Sequence, residues 1–344
     1  MKKIVIIGGG FAGAYAAKNL ERDFEVTLID SKDYFEFTPA ILRTIVDPTH
    51  IHKIQVCHKD YLRCAHIVKD DVLHVTEKEV KTKNEKYSFD YLIICSGSKY
   101  NTPIKEMDLV ITTRAQELKD YATQLHKAEN VLIIGGGIVG VELAGEITDK
   151  YPQKKITLVH AKSDLIERNP AKARKYALSL LKRKGVFIVF NEKVNSCKKG
   201  SYCTNEDRVI KTDLAFLCTG IIPNYDFLEP AFTDCLSEKK SLKVNNYLQV
   251  KGFERIFSAG DITDIKEEKT AQSAEKQAEV VVQNIYHLEK NEMPEKYEHT
   301  VKPMVISLGK FKGIFVYKRF VFTGVIPALM KEVIEWKTMR RYKK

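Results

Sequence analysis

Six glycines fall into two identical spacings. Gly8, Gly10 and Gly13 form one G-x-G-x-x-G run, and Gly135, Gly137 and Gly140 repeat it 127 residues later. The first glycine of such a run permits a tight turn. The second lets backbone approach a pyrophosphate, and the third lets a helix pack on a strand. Amides at the helix start, with the positive end of its dipole, then hold phosphate.

The flanking residues supply what these loops need. Each run follows a short all-apolar stretch, IVII or VLII, as a strand buried on both faces of a parallel sheet should. Small helix-forming residues come next, and then a second strand, Phe24 to Asp30 or Lys155 to His160. Strand, loop and helix within about 30 residues is the context that gives the motif its meaning. At the end of the first unit, Asp30 can accept both hydroxyls of an adenosine ribose. The second ends at His160, followed by Ala161 and Lys162. With no acid there, the expectation is weak discrimination between NADH and NADPH. Two such sites in one chain point to two dinucleotides: a tightly held flavin and an exchanging nicotinamide.

A third signal separates them. The segment NNYLQVKGFERIFSAGDIT runs from an apolar strand into Ser258, Ala259, Gly260 and Asp261. Small residues let backbone come close, and Asp261 can bond flavin ribityl or phosphate-side hydroxyls, although A-G-D alone is a common turn. A helix is expected from about Thr270. Its amides at Ala271 and Gln272 would face the flavin N1–C2=O edge and stabilise an anionic reduced ring, unless the helix is merely capped. Two further small-residue turns, after YLIIC and LAFLC, contain Gly97 and Gly220 and are read as cofactor-facing. Cys95 and Cys218 hold equivalent places in them, which suits packing.

Glu142 lies five residues after Gly137, on the first turns of the second phosphate helix. It is the candidate catalytic residue: it can orient the nicotinamide amide or position Arg or Lys partners. Its plainer role is to complement the helix start. The seven cysteines include no C-x-x-C pair, and SKDYFEFTPAILRTIV after Asp30 has none. Cys57 and Cys64 read as inert thiols. Electrons would therefore leave a flavin directly for something flat that can approach it, and a quinone meets that requirement. The nine histidines show no metal-ligand spacing, so no metal is expected.

Hydrophobic residues make up 44% and charged residues 29% of the 344, which excludes global disorder. The least polar stretches are too short and Gly-interrupted to be transmembrane helices. The start MKK suggests neither a signal peptide nor N-myristoylation, and cytoplasmic residence is expected. Lysine and arginine exceed aspartate and glutamate by 11. The window from Lys150 to Lys211 alone, with 16 basic and 5 acidic residues, carries that surplus. It suits an anionic partner or a solvated face equally well.

The expected fold class is α/β. Residues 1–105 and 241–298 would form an FAD domain and 106–240 an inserted NAD(P)H domain, both Rossmann-like. Residues 299–344 would form a small α+β section facing acceptor or membrane. Phe311, Phe315, Tyr317, Phe320 and Phe322 are expected to line an acceptor pocket. The helix after Pro327 would gather Leu329, Met330, Val333, Ile334, Trp336 and Met339 on one side. With six basic and two acidic residues from Lys331 to Lys344, it could lie on an anionic membrane, on its own core or on a second subunit.

These pieces in this order resemble the two-dinucleotide-binding flavoproteins. The likeness to ferroptosis suppressor-type quinone reductases, relatives of apoptosis-inducing factor, runs through GGGFAG, GGGIVGVELAGEI, YPQKKITLVHA, LCTGIIPN, AGDITD and EWKTMR. Type II NADH dehydrogenases are similar around YFEFTPAILR. The resemblance implies FAD, NAD(P)H and a quinone acceptor near a membrane. It implies that Gly8, Gly9, Gly10, Phe11 and Ala12 hold the flavin pyrophosphate, with Arg43 near the flavin. It places Ile67 at an adenine contact and Asp261 and Glu142 at the roles given above. Animal members carry a glycine after the initiator methionine where this chain has Lys2, so their lipid anchor is not expected. A redox-linked nucleic-acid binder and a reductase of a small electron-carrier protein are the alternatives. Whether the chain forms a homodimer is left open.

Overall fold

The computed structural model describes residues 1–100, 109–111, 115–198 and 200–343. Two five-stranded parallel sheets carry the glycine loops. The first has the order Ile256–Ser258, Tyr91–Ile94, Lys3–Ile7, Glu25–Asp30, His66–Lys69. The second has the order Leu109–Ile111, Leu214–Leu217, Asn130–Ile134, Lys155–His160, Phe187–Phe190. In both, the strand that feeds the loop is central. The chain leaves it towards one side and returns on the other. That reversal opens a crevice at the carboxyl ends of the strands, where open α/β sheets bind ligands. The apolar runs are buried as read: Ile4, Ile6, Leu132 and Ile133 are fully enclosed.

Helix α1 (Phe11–Leu20) and helix α2 (Ile138–Lys150) start directly on the loops. Their N-caps are Gly10 and Gly137, with no side-chain cap, so the first-turn amides stay available to a ligand. A Cβ at Gly13 would overlap the Gly8 carbonyl, and one at Gly140 the Gly135 carbonyl. The third glycine of each run is therefore what seats helix on strand. Each repeat also contains a three-stranded antiparallel meander, at 72–88 and at 194–211, that the sequence did not announce. Ser98–Tyr100 pairs antiparallel with Ile221–Pro223 where the chain passes between the two sheets.

Helix α3 (Ala171–Arg183) follows the second sheet's loop, and helix α4 (Ala271–Glu289) packs along α1. After it, residues 291–303 cross the surface without regular structure. They lead to an antiparallel sheet of Met304–Ser307, Gly313–Tyr317 and Phe320–Gly324, and to helix α5 (Val325–Arg340). Two expectations need correction here. Helix α5 begins before Pro327, which sits in its first turn, where a missing N–H is tolerated. Its apolar residues do not share one side. Met339 is buried and Met330 and Ile334 are half-buried, but Leu329, Val333 and Trp336 are 49%, 59% and 60% exposed. The spacing 329, 333, 336 is itself a helical stripe, directed away from the core. Among the described residues, no helix is long and apolar enough to cross a membrane.

Helix α2 fastens this last section. Ser307 N donates to Glu142 (2.8 Å) and Lys310 N to Asp149 (2.7 Å). Between them, Gly145 lies against the backbone of Leu308 and Gly309, with no room for a Cβ. Gly145→Val should force the C-terminal sheet off α2. The expected cost is about 1–3 kcal/mol, measured by denaturant unfolding, with faster proteolysis within 291–303. Wild-type stability and protection would contradict this docking.

Candidate dinucleotide cleft

One cleft of about 1870 Å³ joins the two loops. That exceeds the roughly 300–1,000 Å³ of a single small-molecule site. Gly8, Gly9, Gly10, Phe11, Ala12, Asp30 and Gly97 line it from the first repeat. Gly135, Gly137, Glu142, His160 and Gly220 line it from the second, and Gly260, Asp261 and Ala271 from the returning chain. At Gly10 and Gly137 a Cβ would meet no protein atom within 4 Å. The middle glycines therefore face open cleft, as a closely approaching pyrophosphate requires.

Four expected site residues lie elsewhere. Gly13 and Gly140 are packed against the turn carbonyls, as described. Ile67 is in mid-strand, paired with Leu28, while the cleft opens at the carboxyl end of that strand. The chain enters the cleft three residues later, at Asp70, Asp71 and Val72. Arg43 does not line the cleft and instead borders a small cavity beside Glu142 and Lys331. Its guanidinium meets Glu146 (3.4 Å) and Glu332 (3.3 Å). Burial works against its charge, and the two carboxylates outweigh burial.

In the first loop, Gly9 N donates to Asp30 Oδ2 at 2.6 Å. The carboxylate thus braces the turn with one oxygen and offers the other, shared with Lys32 N (3.1 Å), to the cleft. Behind Gly9 stands His58, which the sequence reading passed over because nothing in a 28-residue separation ties it to Asp30. His58 is fully buried, with Nδ1 2.6 Å from the Tyr61 hydroxyl and Nε2 3.9 Å from Asp30. Burial pulls its pKa down to about 4, even though Asp30 favours the charged form. In the second loop His160 takes the place of Asp30, and Gly136 N donates to its Nδ1 at 3.1 Å.

Where the returning chain meets the cleft, Ser98 Oγ donates to Asp261 at 2.9 Å. Burial raises the Asp261 pKa, and Ser98 and Lys269 hold it back. Gly260 N donates to Gln277 Oε1 (2.7 Å), and Gln277 in turn donates to Glu267 (2.5 Å), which also accepts from Tyr297 (2.8 Å). This chain of bonds fixes the close backbone approach. Thr270 caps α4 by accepting from Ser273 N, which leaves the Ala271 and Gln272 amides outside the cap.

Glu142 shows what it is held by. It is buried and accepts from Lys331 Nζ (2.6 Å) as well as Ser307 N. Burial raises its pKa, and Lys331 offsets part of that. Lys331 comes from α5 and lines the cleft with Val305, Val316, Ile334, Ile41 and Leu42. The expected aromatics do not line it. Phe315 pairs with Phe322 and Tyr317 with Phe320 across one face of the sheet. The alternate residues Ile314 and Val316 face the core, so pleat alternation sends the rings outward. The Cys95 thiol is buried, which pushes its pKa up to about 12.

A family model described as pyridine nucleotide-disulphide oxidoreductase matches residues 2–278. The chain belongs to that family. Its cofactors are FAD and a nicotinamide dinucleotide. Ferroptosis suppressor protein 1 of Xenopus tropicalis is 32% identical over 333 residues, covering 91% of this chain and 87% of the relative. The solved structure of NDH2 from Plasmodium falciparum in complex with NADH superposes with a TM-score of 0.89 at 16% identity, over 99% of this chain and 96% of that one. The sulfide:quinone oxidoreductase of Aquifex aeolicus gives 0.86 at 18%, over 100% and 92%.

Two outcomes follow for this family member. Asp261→Ala should weaken FAD retention by about 10–100-fold, since a buried charged hydrogen-bond partner contributes about 1.5–3 kcal/mol. Flavin absorbance per protein after dialysis measures it, and full retention would contradict the assignment. The second concerns His58, whose pKa is lower folded than unfolded. Between pH 6.5 and about 4 the unfolded chain binds the extra proton, so stability falls on acidification through that window. The slope is up to about 1.4 kcal/mol per pH unit. His58→Gln should flatten the acid side of a Tm-against-pH curve, and an unchanged slope would contradict it.

Proposed function

We propose that the chain is an FAD-dependent NAD(P)H:quinone oxidoreductase. The observation that carries this reading is the wall of the cleft beyond the two loops. It is apolar, built from Ile41, Leu42, Val305, Val316 and Ile334, and contains one buried ion pair, Lys331–Glu142. The segment after Asp30 offers no thiol to relay electrons.

A flavin held in the first loop would accept hydride from dihydronicotinamide and pass two electrons to an acceptor. The protein's own task is placement. The amides at the starts of α1 and α2 would hold the two pyrophosphates, and the two uncapped amides at the α4 start would lie along the flavin edge. Lys331 Nζ donates to Glu142 at the cleft wall, where a reduced quinone needs a proton donor. Glu142 fixes that ammonium and ties it to the second glycine-loop helix. The apolar wall excludes water and suits a flat, hydrophobic head group.

In this reading residues 1–105 and 241–298 serve the flavin and 106–240 the nicotinamide. Residues 299–344 serve the acceptor. The outer stripe of Phe320, Ile326, Leu329, Val333 and Trp336 is exposed and fringed by Lys318, Arg319, Lys337 and Arg340. That combination supports peripheral contact with an anionic membrane, the source of a lipid-soluble quinone.

Stopped-flow kinetics tests the proposal in two halves. Anaerobic NADH should bleach the flavin, and a short-chain quinone should restore its colour faster than oxygen does. Reoxidation no faster than by oxygen would reject a quinone. Lys331→Met should slow the quinone half-reaction by about 100-fold or more, the usual range for a lost proton donor. Its NADH half-reaction should stay within a few-fold of wild type.

A further inference from the structure

The adenosine end of the second loop departs from the first in a way that bears on cosubstrate choice. In the first repeat a carboxylate, Asp30, braces the loop amide. In the second, Gly136 N donates to Nδ1 of His160. A ring nitrogen that accepts carries no proton, so neutral His160 bears its proton on Nε2. That Nε2 is buried and makes no hydrogen bond among the described residues. It stands 3.5 Å from Oε2 of Glu167. Burial lowers the His160 pKa, which keeps the ring neutral.

Glu167 is brought there by its backbone. Ile166 adopts φ 44°, in the left-handed region, and its N–H donates to Gly136 O at 2.9 Å. Leu165 and the His160 ring press so closely on Gly136 that a Cβ would lie 2.7–2.8 Å from them. The segment after the strand therefore folds back on the glycine turn. A carboxylate arrives at the strand end from seven residues further along, and it lines the cleft beside Ala161 and Lys162.

We propose that Glu167 accepts the adenosine-ribose hydroxyls of the nicotinamide cosubstrate and repels a 2′-phosphate, so that the chain selects NADH over NADPH. A ribose with free 2′- and 3′-hydroxyls presents two donors to a carboxylate with two acceptor oxygens. A 2′-phosphate instead presents about two negative charges to it, and like charges brought together are strongly unfavourable. Lys162, Lys193 and Arg168 line the same mouth. Arg168 is turned across the cleft to Glu268 (3.5 Å), and its side chain is 76% exposed. This revises the expectation of weak discrimination, which rested on the absence of an acid at position 160.

Calorimetric titration of the flavin-loaded protein with ADP-ribose and with 2′-phospho-ADP-ribose reads the site without turnover. Wild type should prefer ADP-ribose by about tenfold or more. Glu167→Gln should reduce that preference to about threefold or less, and Glu167→Arg should reverse it, while the flavin spectrum and circular dichroism stay unchanged. The NADH-to-NADPH ratio of kcat/KM should move in parallel. Equal wild-type affinities, or a preference untouched by Glu167→Gln, would overturn the inference. Binding of neither ligand would overturn it together with the assignment of this loop to a nicotinamide nucleotide. The choice of electron acceptor is not touched by any of these results.

Discussion

The buried carboxylate of Glu142 is the constraint on which the architecture turns. An ionised group in that position is unfavourable unless its lone pairs are taken up. Lys331 and Ser307 N take them up, and both come from the C-terminal section. Removing one partner from such a buried pair typically costs about 3–5 kcal/mol. The same helix starts on the second glycine loop and, two turns further on, admits the backbone of Leu308 and Gly309 at Gly145. Asp149 then accepts from Lys310 N. Helix α2 thus joins the second glycine loop, the cleft ammonium and the C-terminal sheet.

The two repeats solve one geometric problem with different electrostatics. In each, the residue at the end of the second strand accepts from the middle amide of the loop, Gly9 or Gly136. Asp30 does so with a charge, and a fully buried neutral imidazole, His58, stands behind it. His160 does so as a neutral ring and leaves the charge to Glu167. The backbone requirement is therefore for an acceptor, not for an acid. The ribose requirement is separate and can be met from another part of the chain. A motif that looks for both in one residue reads the first repeat fully and the second only halfway.

This division explains what could be read from the sequence. Gly8, Gly13, Gly135 and Gly140 are dictated by backbone alone: two turns at φ 94° and 116°, and two helix starts with no room for a Cβ. Constraints of that kind act within a few residues and leave a spacing. The cleft-lining position of Asp261 and the α4 start at Ala271 were legible for the same reason. Lys331, His58 and Glu167 were not, because each acts through a contact that closes only when distant segments meet. Ile67, placed by resemblance at an adenine contact, sits in mid-strand three residues before the chain enters the cleft. The aromatics of the C-terminal sheet failed by face. Alternation shows that Phe315 and Tyr317 share a side and that Ile314 and Val316 share the other, but not which side is the core.

The outward side of that sheet and of α5 has a physical consequence of its own. Burying an apolar side chain gains about 25 cal/mol per Å², so a chain that leaves Phe320, Ile326, Leu329, Val333 and Trp336 in water forgoes stability at each. The core beneath does not need them: Ile306, Leu308 and Ile314 are fully enclosed without their help. The stripe and the cleft wall are two faces of one element, because α5 presents Leu329, Val333 and Trp336 outward and Lys331 and Ile334 inward. On the quinone reading, a single helix then separates an apolar medium from the site that consumes an apolar acceptor. The distance from one to the other is the thickness of that helix, about 10–12 Å with its side chains.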